Sequence, residues 1–478
     1  MGHGKSQDEK RKERFEGYVA KLIDAVGHKD RAGPCRNYCV GLLLPGDRKS
    51  MEPIAARIEP EAVSRQHQSI HHFVSKADWD DQSVINVAAS NVIPAMQAKE
   101  DIAAWIVDDT GIPKKGEHSV GVARQYCGRL GKQDNCQVAV SLSVANSLAS
   151  VPVAYKLYVP EEWANDKKRR EKVGIPEEVN FQRKWQIALD QIRLAKESSW
   201  IPKAPVVTDA GYGVVTEFRD GLTSLGFQYM VGIQGHTSVW TSDRNPLPIP
   251  PYKGTGRPRK LLRRDKNHKP ISVKELAMSL DSRKFKKVSW REGAKGEMTS
   301  RFAALRVRPA HEDYWRSELR DEEWLLIEWP QGEKEPTKYW FSTSPKESAL
   351  TELVGLAKIR WRIERDYEEL KGEIGLDHFE GRSWRGFHHH ASLCIAAYGF
   401  LVRERLFFFR GQAPSGSPIF EETEVPEDYK PRGSREGRKA SRNIDRHNAL
   451  QDCDAFSSLI GPLPLLPPTE IPVNFMTQ

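Results

Sequence analysis

The stretch AAWIVDDTG, residues 103–111, places two acids at the end of a short apolar run. The β-branched and aromatic residues of this run are typical of a buried strand. Asp108 and Asp109 end it, and burying a carboxylate there costs free energy of desolvation unless a partner compensates the charge. A divalent cation is one such partner, because Mg²⁺ and Mn²⁺ prefer carboxylate oxygens. For each aspartate taken alone, a turn cap is the alternative.

The segments that follow predict a mixed α/β sheet. Two strand-like runs joined by a short turn come first, and then a helix, a strand, a helix and a strand. In chain order these segments are CQVAVSLSVAN (136–146), VPVAYKLYVP (151–160), FQRKWQIALDQIRLAKES (181–198), APVVTDAGYG (204–213), VVTEFRDGLTSLG (214–226) and FQYMVGIQG (227–235). Three strands followed by βα units favour a mixed sheet. Asp209 ends the strand of APVVTDAGYG, and the Ala-Gly-Tyr-Gly turn after it lets a phosphate come close.

A long helix is predicted over residues 345–373. Ser344 is the expected N-cap, Pro345 suits the first helical position, and Glu347 completes a capping box. Its apolar stripe consists of Leu353, Leu356, Ile363, Tyr367, Leu370 and Ile374.

Arg360, Glu364 and Lys371 lie at i, i+4 and i+11 of this helix, on one face beside the stripe. For one such trio alone, a solvated charged edge is the common explanation. The acids at 109 and 209 change the expectation, because two aspartates from the sheet and a glutamate from a covering helix can hold two divalent ions about 3.5–4 Å apart. Such ions activate the attacking water or 3′-hydroxyl and stabilise the leaving oxygen, while Arg360 and Lys371 bind flanking phosphates.

Three separated segments resemble the DDE transposases of bacterial insertion sequences, the cut-and-paste group with a ribonuclease H-like core. They are DDTGIPKKGEHSVGVARQYCGRLGKQDNCQVAVSLS (108–143), VVTDAGYG (206–213) and RWRIERDYEELK (360–371). The third keeps the family's spacing of arginine, three residues, glutamate, six residues and lysine, but Ala357 stands where the family has tyrosine. Tyr367, one turn after Glu364, is the candidate substitute. The resemblance covers roughly residues 99–410.

The resemblance implies that Asp109, Asp209 and Glu364 are the catalytic acids and hold two Mg²⁺ ions, with Mn²⁺ as a substitute. It favours Asp109 over Asp108 because the family's first aspartate directly precedes threonine. It also implies a fold: a ribonuclease H-like mixed sheet with helices, interrupted by a β-rich insertion and preceded by a helical N-terminal DNA-binding domain.

The resemblance further implies that the loop after the first aspartate lies over the active site and touches DNA. This loop carries Lys114, Lys115, His118 and Arg124. In relatives a tryptophan of the insertion stacks on a flipped base. Trp340 is the positional candidate here, and a core tryptophan in a β-strand is the alternative.

The segment GTGRPRK, residues 254–260, contains the Gly-Arg-Pro of an AT-hook, so Arg257 and Arg259 are candidate minor-groove contacts. A basic loop that touches phosphates is the alternative. The net charge of +8 and the pI near 9.0 also favour a polyanionic partner.

Changes in composition divide the chain into five regions, and the resemblance implies their roles. They are residues 1–98, a helical DNA-binding domain; 99–235, the first part of the catalytic core; 236–335, the β-rich insertion; 336–410, the second part with the glutamate helix; and 411–478, a tail for DNA or dimer contacts. Six scattered cysteines, an N-terminus without an apolar signal segment and no membrane-length apolar run predict a cytoplasmic protein at the bacterial nucleoid.

The resulting hypothesis is a DNA transposase that binds the terminal inverted repeats of its element as a homodimer, cleaves there and joins the 3′-hydroxyl ends to target DNA. Affinity would come from phosphate contacts and specificity from base edges. Two alternatives stay open on the same scaffold: a DNA-binding regulator that no longer transposes, and a ribonuclease H-like nuclease.

Overall fold

The structure, a computed structural model, describes residues 5–293 and 296–408. Residues 7–97 form helices, as predicted for this region, and the first begins with a complete capping box, in which Ser6 and Glu9 each accept a hydrogen bond from the other's backbone N–H. These helices are α1 Gln7–Val26, α2 Ala32–Leu43, α3 Met51–Ile58, α4 Val63–Ser75 and α5 Asp81–Gln97.

The chain then alternates strands and helices in the predicted order, with additional short elements between them. The strands are β1 Ala104–Pro113, β2 Ala123–Cys127, β3 Lys132–Ala145, β4 Ser150–Leu157, β5 Val206–Thr208 and β6 Tyr229–Ile233. The helices between β4 and β6 are α6 Glu161–Ala164, α7 Lys167–Val173, α8 Lys184–Glu197, α9 Ala210–Gly213 and α10 Thr216–Ser224.

The region predicted to be a β-rich insertion contains short and long strands and one helix. They are β7 Ser238–Thr241, β8 Ile271–Ser272, α11 Val273–Ser279, β9 Lys286–Gly293, β10 Gly296–Pro309 and β11 Glu323–Glu328. The last elements are β12 Lys338–Ser342, α12 Leu350–Lys358, α13 Trp361–Glu369, a π-helical turn at Leu370–Ile374 and α14 Trp384–Phe408.

In the described part of the chain, 12 strands join one mixed sheet in the order β2-β3-β1-β5-β6-β12-β11-β10-β7-β8, with β4 paired to β3 and β9 to β10. β1 runs antiparallel to β3 and parallel to β5, and β5 runs parallel to β6. β12 pairs antiparallel with both β6 and β11, so the strands of the insertion extend the same sheet. The predicted mixed α/β sheet is therefore confirmed.

The N-terminal helices share a hydrophobic core with α14. Phe15 and Tyr18 of α1 pack against the ring of Phe400, and the Tyr18 hydroxyl donates to the Ala396 carbonyl at 2.8 Å. The core continues through β4 and across the sheet. Helix α14 thus joins the first helices of the chain to the elements that follow them.

The predicted start of the glutamate helix is wrong. The helix begins at Leu350 rather than at Pro345, and Glu352 accepts a hydrogen bond from the N–H of Ala349, its N-cap residue. The Ser344 hydroxyl is instead engaged with Ser342 at the end of β12. A tight turn at Ile359 and Arg360 also divides the predicted helix into α12 and α13.

Among the described helices, none is long and apolar enough to cross a membrane. The predicted tail, residues 411–478, lies outside the described residues.

Candidate active site

The two faces of β1 divide its side chains between different helices. Ala104 and Ile106 belong to a cluster with residues of α12 and α13, including Leu353 and Ile363. Asp108 has the same parity as Ala104 and Ile106, so its side chain is on this face of the sheet. Ser141, the β3 partner of Asp108, confirms the direction, because its hydroxyl lies 2.7 Å from the hydroxyl of Tyr367 in α13.

Asp109 lies on the opposite face. Its carboxylate forms an ion pair with Lys184 at the start of α8, the helix that covers that face. The Asp109 N–H, in contrast, donates to Oδ1 of Asp108 at 2.9 Å. The structure therefore does not bring the side chain of Asp109 together with Glu364.

Asp209 stands where the prediction expected it, directly after β5. The parallel register pairs Trp105 with Val206 and Ile106 with Val207, and continuing it by two residues brings Asp108 alongside Asp209. Asp209 Oδ1 accepts hydrogen bonds from the N–H groups of Gly211, at 2.9 Å, and Tyr212, at 3.4 Å. Asp209 is thus also the cap of α9, so both roles considered from the sequence are available to one side chain.

Arg360 connects the first acid to the predicted glutamate. Its guanidinium donates to Asp108 Oδ2 at 2.7 Å and to Glu364 Oε1 at 2.5 Å. Asp209 also lies near enough to act electrostatically on the guanidinium. Three carboxylates, from β1, the end of β5 and α13, therefore surround one cationic side chain.

The pKa of Asp108 is raised to about 7. The main cause is burial, and the negative charges of Asp209 and Asp109 add to it, while Arg360 opposes the shift. Burial and the neighbouring carboxylates therefore favour the protonated, neutral form of the Asp108 carboxyl. Such a group gains more from a bound cation than a solvated carboxylate does.

The predicted basic face of the helix contacts β1. The Tyr367 hydroxyl lies 3.3 Å from the Asp108 carbonyl oxygen, and Lys371 Nζ donates to the Gly111 carbonyl at 3.0 Å. Burial lowers the pKa of Lys371 to about 8 and raises that of Tyr367. Arg360, Tyr367 and Lys371 therefore hold α13 and the following turn along one strand.

The donor set at this edge fits a divalent cation, because carboxylate oxygens of Asp108, Asp209 and Glu364 are hard ligands around one position of positive charge. Within residues 5–293 and 296–408, no three acidic, histidine or cysteine side chains converge closely enough to hold a metal as they stand. The reason lies in two side chains: Arg360 sits between the acids, and Glu364 is 60% exposed.

The loop after β1 carries the other predicted contacts of this region. Lys114, Lys115 and His118 line a cavity of about 440 Å³. Lys114 Nζ donates to the Phe379 carbonyl at 2.6 Å, so this residue connects the loop to the segment after α13. Arg124 lies on β2 with its side chain exposed.

Trp340 and the two arginines of the insertion behave differently. Trp340 is only 8% exposed and lies in the core, with Lys358 Nζ 5.6 Å from its ring centre. The low exposure of the ring and its place in a hydrophobic cluster fit the alternative of a core tryptophan better than a ring that is open to a flipped base. Arg257 and Arg259 are exposed in the loop between β7 and β8.

Two residues of the site escaped the sequence analysis. Lys184 partners Asp109, and Ser141 partners Tyr367. Ser141 carried a signal, since it is a hydroxyl inside an otherwise apolar strand. Lys184 carried none, because a lysine in the first turn of an amphipathic helix is ordinary.

Carboxylates gathered at neighbouring strand ends of a mixed sheet, with basic side chains around them, define the class of a candidate metal-dependent nuclease. A model of the DDE superfamily endonucleases matches residues 21–297, more than half of the chain. The chain belongs to this family, as its resemblance to DDE transposases predicted. The matched region contains Asp108, Asp109 and Asp209 and ends before α13. Enzymes of the superfamily generally use divalent metals.

A curated relative is the probable transposase for insertion sequence element IS701 of Microchaete diplosiphon. It is 31% identical to this chain over 132 residues, which are 27% of this chain and 33% of the relative. The chain thus spans about a third of the length of this relative.

Proposed function

We propose that the protein is a DNA transposase of the insertion-sequence type, which cleaves phosphodiester bonds at the ends of its element and joins the 3′-hydroxyl ends to target DNA. The observation that carries the proposal is the side-by-side placement of Asp108 and Asp209 on adjacent parallel strands, with Arg360 and Glu364 of α13 over them. The named relative is a probable transposase, which favours this activity within the endonuclease family.

Asp108, rather than Asp109, is proposed as the first catalytic acid. Its side chain is on the face that α13 covers, whereas Asp109 is paired with Lys184 on the other face. The threonine that follows Asp109 favoured the opposite choice. Asp209 and Glu364 complete the proposed set.

Two divalent ions, Mg²⁺ or Mn²⁺, would be held by Asp108, Asp209 and Glu364 and would supply Lewis-acid activation of an attacking water or 3′-hydroxyl. Arg360 balances the negative charge of the two aspartates and Glu364 and so allows them to lie close together. The planar guanidinium is also suited to bind a phosphate once it has left the acids. Tyr367 and Lys371 anchor α13 to β1, so the glutamate keeps its distance from the sheet.

The finer architecture of the proposal is a ribonuclease H-like core. The order β4-β3-β1-β5-β6, with antiparallel strands up to β1 and parallel strands after it, supports this. We further propose roles for the other regions. Residues 1–98 bind the terminal inverted repeats, and residues 236–335 form an insertion in which Arg257 and Arg259 contact DNA. Two copies of the protein assemble on DNA at the bacterial nucleoid.

The test uses a duplex that spans the boundary of the DNA element carrying this gene. Glu364→Gln is expected to lower the rate of Mg²⁺-dependent cleavage by about 10³-fold or more, because a metal ligand is lost, while binding of the duplex stays within about twofold of wild type. Glu368→Gln is the matched control, since it removes an exposed glutamate one turn further along α13. Undiminished cleavage by the Glu364 variant would refute the assignment.

A further inference from the structure

A basic cavity lies beyond the catalytic edge, between three segments that are distant in sequence. Lys114 and Lys115 come from the loop after β1, Arg382 comes from the segment between the π-helical turn and α14, and Arg48 comes from the loop between α2 and α3. The volume is about 440 Å³. Residues from the N-terminal helical region and from both parts of the proposed core therefore line one space.

The charges of the cavity do not balance. Its lining includes two carboxylates, and both are already paired: Asp377 with Arg129, and Glu380 with Arg48. Lys115 and Arg382 are exposed and form no ion pair among the described residues. Two cationic side chains are therefore available for an anion that enters the cavity.

Lys114 adds a third, partly buried cation. Its ammonium group donates to the Phe379 carbonyl at 2.6 Å, and burial lowers its pKa to about 8. An ammonium group with one hydrogen bond from its three donors has capacity for further acceptors. A phosphate oxygen would supply such an acceptor and would offset the desolvation of the charge.

The position of the cavity follows from the geometry of β1. Lys114 is six residues beyond Asp108 along an extended chain, about 20 Å at the usual rise of a strand. A duplex has one phosphate per strand for about every 3.4 Å of its axis. For a duplex placed over the acids with its axis along β1, this distance corresponds to about six base pairs from the scissile phosphate.

We propose that this cavity holds a backbone phosphate of the DNA bound across the active site, about six nucleotides from the position of cleavage, with Lys115 and Arg382 as its charged contacts. The proposal rests on the proposed function. It assigns to Arg382, and to the N-terminal loop that carries Arg48, a place at the catalytic end of the DNA.

The first experiment measures binding of a fluorescent duplex from the element boundary over about 50–200 mM salt. Arg382→Gln and Lys115→Gln are each expected to weaken binding by up to about tenfold and to make the slope of log K against log salt shallower by at most about 0.9, because both side chains contact one phosphate and about 0.9 is the value for one phosphate. Arg382→Lys should keep most of the slope. Lys196→Gln is the matched control, because Lys196 is an exposed lysine at the far end of α8.

The second experiment locates the phosphate. Single neutral methylphosphonate linkages are placed four to eight nucleotides from the cleavage site, as this range brackets the estimate of about six. At the contacted position, the neutral linkage should weaken binding by wild type and cause a smaller further loss in Arg382→Gln, in which Lys115 still faces the same phosphate. Equal penalties for both proteins at every position would overturn the proposal.

Three other outcomes are informative. Wild-type binding and slope in both variants, with cleavage retained by wild type, would overturn the cavity proposal and leave the proposed function intact. Inorganic phosphate could protect wild type against thermal unfolding and fail to protect Arg382→Gln, while DNA binding is the same in both proteins. This result would show that the cavity takes free phosphate and would also overturn the cavity proposal. A wild-type protein that neither binds nor cleaves the duplex would count against the proposed function itself.

Discussion

Asp108 and Asp109 are neighbours in sequence, but they lie in two different environments. On one face of β1, Asp108 is buried beside Asp209 and under α13, and its pKa rises to about 7. On the other face, Asp109 is partly exposed and paired with Lys184. Two acids that are adjacent in a strand can therefore differ in their chemistry, because successive side chains point to opposite faces and meet different helices.

The largest difference between the two acids is expected in the rate at which their variants cleave DNA at the element boundary. Asp108→Asn is expected to lower the rate at least about 10³-fold, because it removes a metal ligand, whereas Asp109→Asn should lower it no more than about tenfold. The measurement is single-turnover cleavage with saturating Mg²⁺. A larger loss in the Asp109 variant would reverse the assignment of the two acids.

The pH dependence of the cleavage rate tests whether Asp108 is the catalytic acid. A carboxyl with a pKa near 7 is mostly protonated at pH 6 and cannot act as a metal ligand. At subsaturating Mg²⁺ the cleavage rate should therefore rise about fivefold from pH 6 to pH 7 and less than about twofold from pH 7 to pH 8. High Mg²⁺ should shift the midpoint to lower pH, because the cation competes with the proton. A rate that kept rising tenfold per pH unit above pH 8 would contradict this origin.

Asp108→Asn should have opposite effects on the two properties: it should lower the cleavage rate but increase the stability of the fold. The folded-state pKa of Asp108 lies above its unfolded value, so wild type loses stability as the pH rises from about 4 to about 7. Without Mg²⁺ at pH 8, Asp108→Asn is expected to increase the free energy of unfolding by about 1–3 kcal/mol, and this gain should shrink toward pH 5. Urea denaturation at both pH values measures it. A destabilised Asp108 variant at pH 8 would show that the Arg360 pair outweighs burial.

The smallest effect is expected on the other face. Lys184→Gln removes the partner of Asp109, but both side chains are partly exposed, so the loss should be at most about 1 kcal/mol of unfolding free energy. The rate of cleavage should change by less than about tenfold. A loss of activity comparable to that of the Asp108 variant would mean that the two faces are functionally coupled.

The order of elements in the first half of the chain could be predicted from sequence, because apolar runs and helical spacing are local signals. The position of Asp209 directly after a strand could be predicted in the same way. Arg360 and Lys371 were expected to bind phosphates, and their contacts with Asp108 and the Gly111 carbonyl of β1 were not predicted. The family that the resemblance to DDE transposases implied is confirmed by the match over residues 21–297.

Other features were not accessible from sequence. β1 is buried on both faces, and apolar residues precede both acids without alternation, so its sequence does not reveal which acid faces which helix. The late start of α12 depends on the contact between Ser342 and Ser344, which competes with a correct local capping signal. The burial of Trp340 depends on the pairing of β12 between β6 and β11, which no local pattern encodes.

The shared core of α1 and α14 has a consequence for synthesis on the ribosome. Tyr18 needs the carbonyl of Ala396, and the Arg14 guanidinium pairs with Glu404, so the first helix acquires these partners only after nearly 400 further residues have been translated. Translation that stops before Trp384 releases a chain with α1, α2 and α5 uncovered on the side that α14 would fill. Apolar surface of this kind is recognised by chaperones and proteases, so truncated products are expected to be short-lived.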